Sequence, residues 1–173
     1  ALWVSPMESR KGPHLVIQAL ARTSSDVTLK MVGDGPQRKS LEELAVRLGI
    51  SDRITFTGWV ERTDAVKLMR GATTVIFTGL REEGGLALAE AMFTARRLIV
   101  LDHGGAGSIA RSTTDQERVI RVPPGALDAV ASGFAAAIDH HFEAPPVDDR
   151  PLLDRRAAVA ELEDAVLTAL QQR

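Results

Sequence analysis

The chain has no cysteine. Disulfides and thiolate metal sites are therefore excluded, in keeping with a reducing compartment. Histidine is scarce, with four scattered along 173 residues, so a zinc cluster is not expected. Basic excess is also missing. Lys and Arg number 21 against 23 Asp and Glu, a net charge of -2, without the surplus that binding to a phosphate backbone usually needs. Nucleic acid is not an expected partner. No uninterrupted apolar run approaches the ~18 to 20 residues that span a bilayer, and nothing at the start resembles a cleavable signal. An initiator Met is lacking too. Ala1-Leu2-Trp3-Val4 already reads as a buried strand, so a piece of something longer is expected.

What is present is alternation. Apolar runs of strand length are followed by stretches of helical period, the pattern of a parallel sheet covered on both faces. Six strands are predicted, at residues 1–4, 27–32, 53–56, 73–77, 98–101 and 118–122. Between and after them, helices are expected from Pro13 to about residue 21, along the stripe of Leu41, Leu44, Ala45 and Leu48, over 64–70, from Gly84-Gly85 through Met92, after Gly105, and over 126–141. A last helix is expected over 154–170. About 100 to 200 residues make one domain, and a chain of this length buries about 68 to 70% of its unfolded surface, so it needs no staples. The expected fold class is α/β, a Rossmann-like, doubly wound parallel sheet with strand order 3-2-1-4-5-6.

Open parallel sheets bind ligands outside the carboxyl ends of their strands. Polar and Gly-rich residues follow each apolar run there: Arg10-Lys11-Gly12, Gly33-Asp34-Gly35, Thr57-Gly58-Trp59, Arg81-Glu82-Glu83-Gly84-Gly85 and Asp102-His103-Gly104-Gly105. Each alone is a turn; five on one rim argue for a site. Gly84-Gly85 at a helix start lets an anion approach backbone N–H groups at the positive end of the helix dipole. Lys11 adds a compact cation from another loop. Glu82 and Glu90, with seven residues between them, repel a diphosphate but accept hydrogen bonds from sugar hydroxyls. Acids for sugars and amides plus Lys for phosphates together describe a nucleotide-sugar site.

The order Arg10-Lys11-Gly12, Val32-Gly33-Asp34-Gly35-Pro36, Ile54-Thr55-Phe56-Thr57-Gly58, Glu82 to Met92 and Asp102-His103-Gly104-Gly105 resembles the C-terminal, donor-binding domain of retaining glycosyltransferases of family 4. These are the "group 1" transferases of the two-domain GT-B architecture. The resemblance covers residues 1–109. It implies that Lys11 contacts the donor diphosphate and that Glu82 lies near the transferred sugar, as the catalytic carboxylate. It implies further that Glu90 holds the nucleotide ribose and that Gly84, Gly85 and Leu86 cradle the phosphates. Gly33, Asp34, Gly35, Trp59 and Val60 fall where the family places the nucleotide base. Residues 1–150 are then the nucleotide-sugar-binding unit. Residues 151–173 form a terminal helix packing on it or on the missing N-terminal domain.

The pattern departs from the family in four places. Pro6 stands where the family often has a second diphosphate-binding Arg, and Glu83 where a Gly usually follows the first carboxylate. Ser108 replaces the usual Glu after Gly104-Gly105, and Ala95-Arg96-Arg97 replaces a Gly and a Pro before the fifth strand. Glu83 competes with Glu82 to face the sugar, although the spacing to Glu90 favours Glu82. Pro6, Glu83 and Ser108 also motivate an alternative, a catalytically degenerate nucleotide-binding module. A dehydrogenase is disfavoured, since the first strand is not followed by Gly-x-Gly-x-x-Gly. The resemblance implies a nucleotide-diphosphate sugar as substrate, no cofactor, no obligatory metal, a cytoplasmic location and the chain's own N-terminal domain as partner. Any association with a membrane surface is expected of the full-length protein only.

Other residues carry blander expectations. Asp26 and Asp34 are turn formers. His140-His141 suits a helix end. Trp59 either stacks on a base or caps the core, with neither favoured. Arg96-Arg97 is expected to be a solvated pair, and Val66, Met69, Leu41, Leu44 and Leu48 to pack the core.

Overall fold

The computed structural model describes residues 1–24, 26–81, 86–112 and 117–141. Among these residues are six strands: β1 Leu2–Val4, β2 Leu29–Val32, β3 Ile54–Gly58, β4 Val75–Phe77, β5 Leu98–Leu101 and β6 Val119–Val122. Six helices follow them in turn: α1 Pro13–Leu20, α2 Arg38–Arg47, α3 Arg62–Gly71, α4 Leu86–Thr94, α5 Gly104–Ser112 and α6 Leu127–Asp139. All strand pairs are parallel, in the order β3-β2-β1-β4-β5-β6. This is the architecture and order expected from the alternation of short apolar runs with helical stripes. The expected terminal helix, and with it the unit 151–173, lies outside the described residues.

Alternate residues along each strand supply two cores. Trp3, Met31, Ile76 and Ile99 pack with Leu15 and Val16 of α1, Leu41 of α2 and Phe134 of α6 on one face. Leu2, Val75, Phe77, Leu98 and Val100 pack with Met69 of α3, Leu88 of α4 and Ala106 of α5 on the other. The helices change face between α2 and α3, where the chain returns from edge strand β3 to place β4 beside β1. The β1–β4 boundary is thus the topological switch point, the place where open sheets of this class bind their ligands.

Two expectations are corrected here. Leu48 does not pack the core: it is 40% exposed. α2 stops at Arg47, and Gly49 takes φ +68. The N–H groups of Gly49 and Ile50 then donate to the carbonyls of Val46 and Ala45. This is a Schellman motif, and it hands the burial that the helical period assigned to Leu48 on to Ile50. The second correction is Arg97, which is no solvated residue but only 3% exposed. Its guanidinium donates to the carbonyl of Ala137, in the last turn of α6. Burial holds its pKa below the ordinary value.

Arg97 belongs to a set of arginines that close helix C-termini. Arg22 donates to the carbonyl of Gln18 in α1, and Arg118 to those of Met92 and Ala95 at the end of α4. Carbonyls of a last helical turn have no intrahelical partner, and a cation there also suits the dipole. Arg118→Ala is therefore expected to cost about 2 kcal/mol. Thermal unfolding should show a fall in Tm of about 4 to 8 °C. Arg118→Lys should recover only part, because an ammonium cannot present a planar fork to two carbonyls.

Candidate functional site

The carboxyl ends of the strands carry the residues singled out from sequence. After β1, the chain runs through a short 3-10 turn, Ser9–Lys11, to Gly12, whose φ of +59 opens α1. A Cβ on Gly12 would lie 2.6 Å from the carbonyl oxygen of Thr78, so only glycine lets this loop lie against the end of β4. Thr78 is itself buried. Its hydroxyl accepts from the Trp3 indole at 2.9 Å and donates to the carbonyl of Lys11 at 2.8 Å. The N–H groups of Leu80 and Arg81 both donate to the carbonyl of Arg10. Lys11 is thus fixed by its backbone to the switch-point strand, through a hydroxyl anchored in the core.

The β2 loop is joined to its neighbours in the same way. Met7 N–H donates to the carbonyl of Asp34, and Gly33 N–H to that of Gly58 at 2.8 Å. Gln37 Nε2 donates to Ser9 Oγ at 2.9 Å. Asp34 acts as the turn former expected: Oδ1 accepts from Gly35 N–H, and Oδ2 from Arg38. Its pKa is held below the usual carboxylate value by the Gly35 N–H and then by Arg38. Gly33, Asp34 and Gly35 therefore form a rigid shelf. After β3, Trp59 is 71% exposed, which removes the core-capping alternative, while Val60 packs against the second core.

On the far side of the switch point, α4 carries Leu86 in its first turn and Glu90 one turn further in. Leu86 is partly exposed. The Glu90 side chain is only 12% exposed, and Arg62 of α3 donates to it from Nε at 2.6 Å. Glu82, Glu83, Gly84 and Gly85 lie outside the described residues. Lys11, Gly33, Asp34, Gly35, Trp59, Val60, Leu86 and Glu90 all follow β1 to β4 at one end of the sheet. Beyond β5, Ser108 Oγ donates to the carbonyl of Gly104 and accepts from Arg111, which also pairs with Asp102. A shallow open depression of about 500 Å³, lined by Asp102, Val119, Ile120, Arg121 and Pro123, lies along edge strand β6 and takes in only Asp102 of the rim segments singled out from sequence.

Two contributors were missed from sequence. Thr78 could have been found as the polar residue closing an apolar strand run. Arg62 had no signal, because its partner lies 28 residues away on another helix. Among the described residues, no group of three or more His, Asp or Glu is gathered as for a metal ion. Among the same residues, no helix is long and apolar enough to cross a membrane.

His14, in the first turn of α1, is half-buried, and burial pushes its imidazole pKa below the ordinary value. The folded state thus prefers neutral His14. As pH falls below about 6.5, the unfolded chain takes up this proton first, so stability declines until the folded-state pKa is reached. His14→Gln should flatten that acid-side slope in urea titrations run at several pH values. The stability difference between the two proteins should stay constant above about pH 7.5.

The model of the family "Glycosyl transferases group 1" matches residues 1–141. Alpha-D-kanosaminyltransferase of Streptomyces kanamyceticus is 28% identical over 141 residues, which cover 80% of this chain and 36% of that protein. Among solved structures, HepE of Anabaena in complex with UDP superposes with a TM-score of 0.64 and 22% identity, covering 96% of this chain and 48% of that one. The C-terminal domain of a group 1 family protein, LpcC of Francisella tularensis, matches with a TM-score of 0.61 and 20% identity, covering 79% of this chain and 74% of that one. The chain therefore spans about a third of the length of the first of these relatives and about half of the second.

Proposed function

The chain belongs to the group 1 glycosyl transferases, and from that premise we propose that it is the C-terminal, donor-binding half of a retaining GT-B glycosyltransferase. The observation that carries this reading is the placement of Lys11 on the loop after β1 and of Glu90 on the helix after β4, on either side of the β1–β4 switch point, where sheets of this kind hold nucleotides. In this reading Lys11, the Gly84 and Gly85 amides and the N-terminus of α4 bind the diphosphate. Glu90 accepts from the ribose, the shelf at Gly33–Gly35 and the exposed Trp59 receive the base, and Glu82 stands by the transferred sugar. The sugar passes to the acceptor with its anomeric configuration retained. As its bond to the diphosphate breaks, negative charge grows on the leaving oxygen, which Lys11 and the positive end of the helix dipole would stabilise. No obligatory metal is assigned to that task.

Calorimetry with uridine, guanosine and adenosine diphosphates tests the reading, beginning with the uridine compound, since HepE is described with UDP. Binding of at least one is expected, together with a rise in Tm that follows ligand concentration. Binding of none would end the donor-binding reading. The chain alone is expected to bind donor without transferring sugar. The acceptor side of the cleft belongs to the N-terminal domain, and closure between two domains excludes water and orients the acceptor. Labelled nucleotide-sugars and candidate acceptors should give turnover only when that domain is fused or supplied in trans. Robust transfer by the chain alone would refute this.

A second reading, the degenerate nucleotide-binding module, is favoured by Pro6 and Ser108. Pro6 supplies no cation, and Ser108 is engaged with Gly104 and Arg111 of its own helix. Nucleotide binding by an inactive full-length protein would select it.

A further inference from the structure

Glu90 does not stand alone on α4, and its partner is an unusual choice. Arg62 is the first residue of α3, at the positive end of that helix, where a cation is disfavoured; Asp64, in the same turn, is the residue type such an end prefers. Holding a long, half-exposed side chain there also costs rotamer freedom. Local electrostatics therefore give no reason for Arg62, and such local conflicts are expected at functional sites. Its geometry supplies one. Both Nε and Nη2 of Arg62 address the same oxygen, Oε1 of Glu90. Among the described residues, none donates to Oε2.

Resting on the donor-binding reading above, we infer that Arg62 is a positioning residue: it pins Oε1 of Glu90, so that Oε2 is presented to the ribose hydroxyls of the bound nucleotide. A carboxylate on a free side chain swings between rotamers and presents either oxygen. One clamped through a single oxygen by two nitrogens of a planar guanidinium keeps the other in a constant place, with lone pairs for hydroxyl donors. The fixed positive charge also offsets the repulsion between Glu90 and a diphosphate on the same rim. Arg62 thus contributes to discrimination between ribose and deoxyribose without touching either.

The test compares each nucleoside diphosphate that binds with its 2′-deoxy counterpart, by calorimetry on the whole chain and on Arg62→Lys, Arg62→Ala and Glu90→Gln. The parent chain should prefer the ribose form by about tenfold, one charged hydrogen bond's worth. Arg62→Lys keeps the charge but loses the two-nitrogen grip. It should bring the preference below about threefold while leaving affinity for the deoxy form within about twofold. Arg62→Ala should lose the same preference and weaken both forms. A purely structural role would weaken both nucleotides alike and leave their ratio unchanged, and that result in both variants overturns the inference. Tighter binding by Arg62→Ala overturns it as well, since Arg62 would then compete with the ribose. Glu90→Gln separates the two claims. A ribose preference that Glu90→Gln leaves intact refutes the ribose role of Glu90 and this inference with it. A preference that depends on Glu90 but survives both Arg62 variants refutes only Arg62's part. Melting curves on every variant verify folding, and half-exposed Arg62 is not part of either core.

Discussion

Gly33→Ala is expected to lower stability by about 3 to 5 kcal/mol and Tm by about 6 to 20 °C, the largest effect of any methyl added to the rim. Gly33 adopts φ +124, a torsion that side chains rarely take. A Cβ there would lie 2.1 Å from the carbonyl oxygen of Ser5 and 2.9 Å from its carbon. Both are backbone atoms. Neither can move cheaply, since Ser5 N–H donates to the carbonyl of Val32 and Gly33 N–H to that of Gly58. Relief requires the β1 and β2 loops to part, which also dismantles the shelf beside Lys11. Gly49→Ala separates torsion from clash. Gly49 has φ +68, but nothing lies within 4 Å of its built Cβ, so only the left-handed torsion is charged, at about 1 to 2 kcal/mol. Urea unfolding of both variants checks the difference. Equal losses would mean that the close approach of the two loops does not govern the rim.

Glu90→Ala is expected to weaken binding of the nucleoside diphosphate by about 1.5 to 3 kcal/mol, or about 10- to 150-fold, through loss of a charged hydrogen bond to ribose. Lys11→Ala should weaken it by about tenfold, through loss of a cation facing the diphosphate. The Glu90 change should cost little stability. Arg62, the partner that Glu90→Ala leaves behind, is 54% exposed and rehydrates in place, so the lost pair is worth less than about 1 kcal/mol. Affinity that falls while Tm in the absence of nucleotide stays level is the signature of a binding residue. If calorimetry finds affinity unchanged in both variants, the rim has been assigned to the wrong ligand.

The parts of the fold that were legible in the sequence depend on short-range chemistry. Val75-Ile76-Phe77 and Leu98-Ile99-Val100-Leu101 are apolar throughout because both faces of a central parallel strand are covered. Alternation of such runs with helical stripes leaves few topologies, and right-handed crossovers select the doubly wound one. The rim was legible for the same reason: polar and glycine-rich residues closing each run fall at the carboxyl ends of parallel strands. Lys11, the Gly33 turn and Glu90 could be put on one end of the sheet without coordinates.

The errors share one cause, which is competition between a local pattern and a partner distant in sequence. Leu48 continues the α2 period, yet the left-handed Gly49 turns the chain and buries Ile50 instead. Arg97 sits in a charged doublet that looks solvated, but the end of α6 needs a donor and takes its guanidinium. Trp59 is a different case: an indole suits either core or ligand, so its sequence left both readings open, and only the packed structure shows it exposed.

By itself, the sequence determined the α/β class, the six strands and their order, and the end of the sheet on which the chemistry-bearing residues gather. Periodicity and turn chemistry act over a few residues and can be read along the chain. The tertiary structure alone decided that Thr78 ties Trp3 to Lys11, that arginines close α4 and α6, and that Arg62 grips one oxygen of Glu90. Each of these joins elements far apart in sequence. A hydrogen bond depends on tenths of an ångström between its partners, and such distances exist only once the two faces of the sheet are packed.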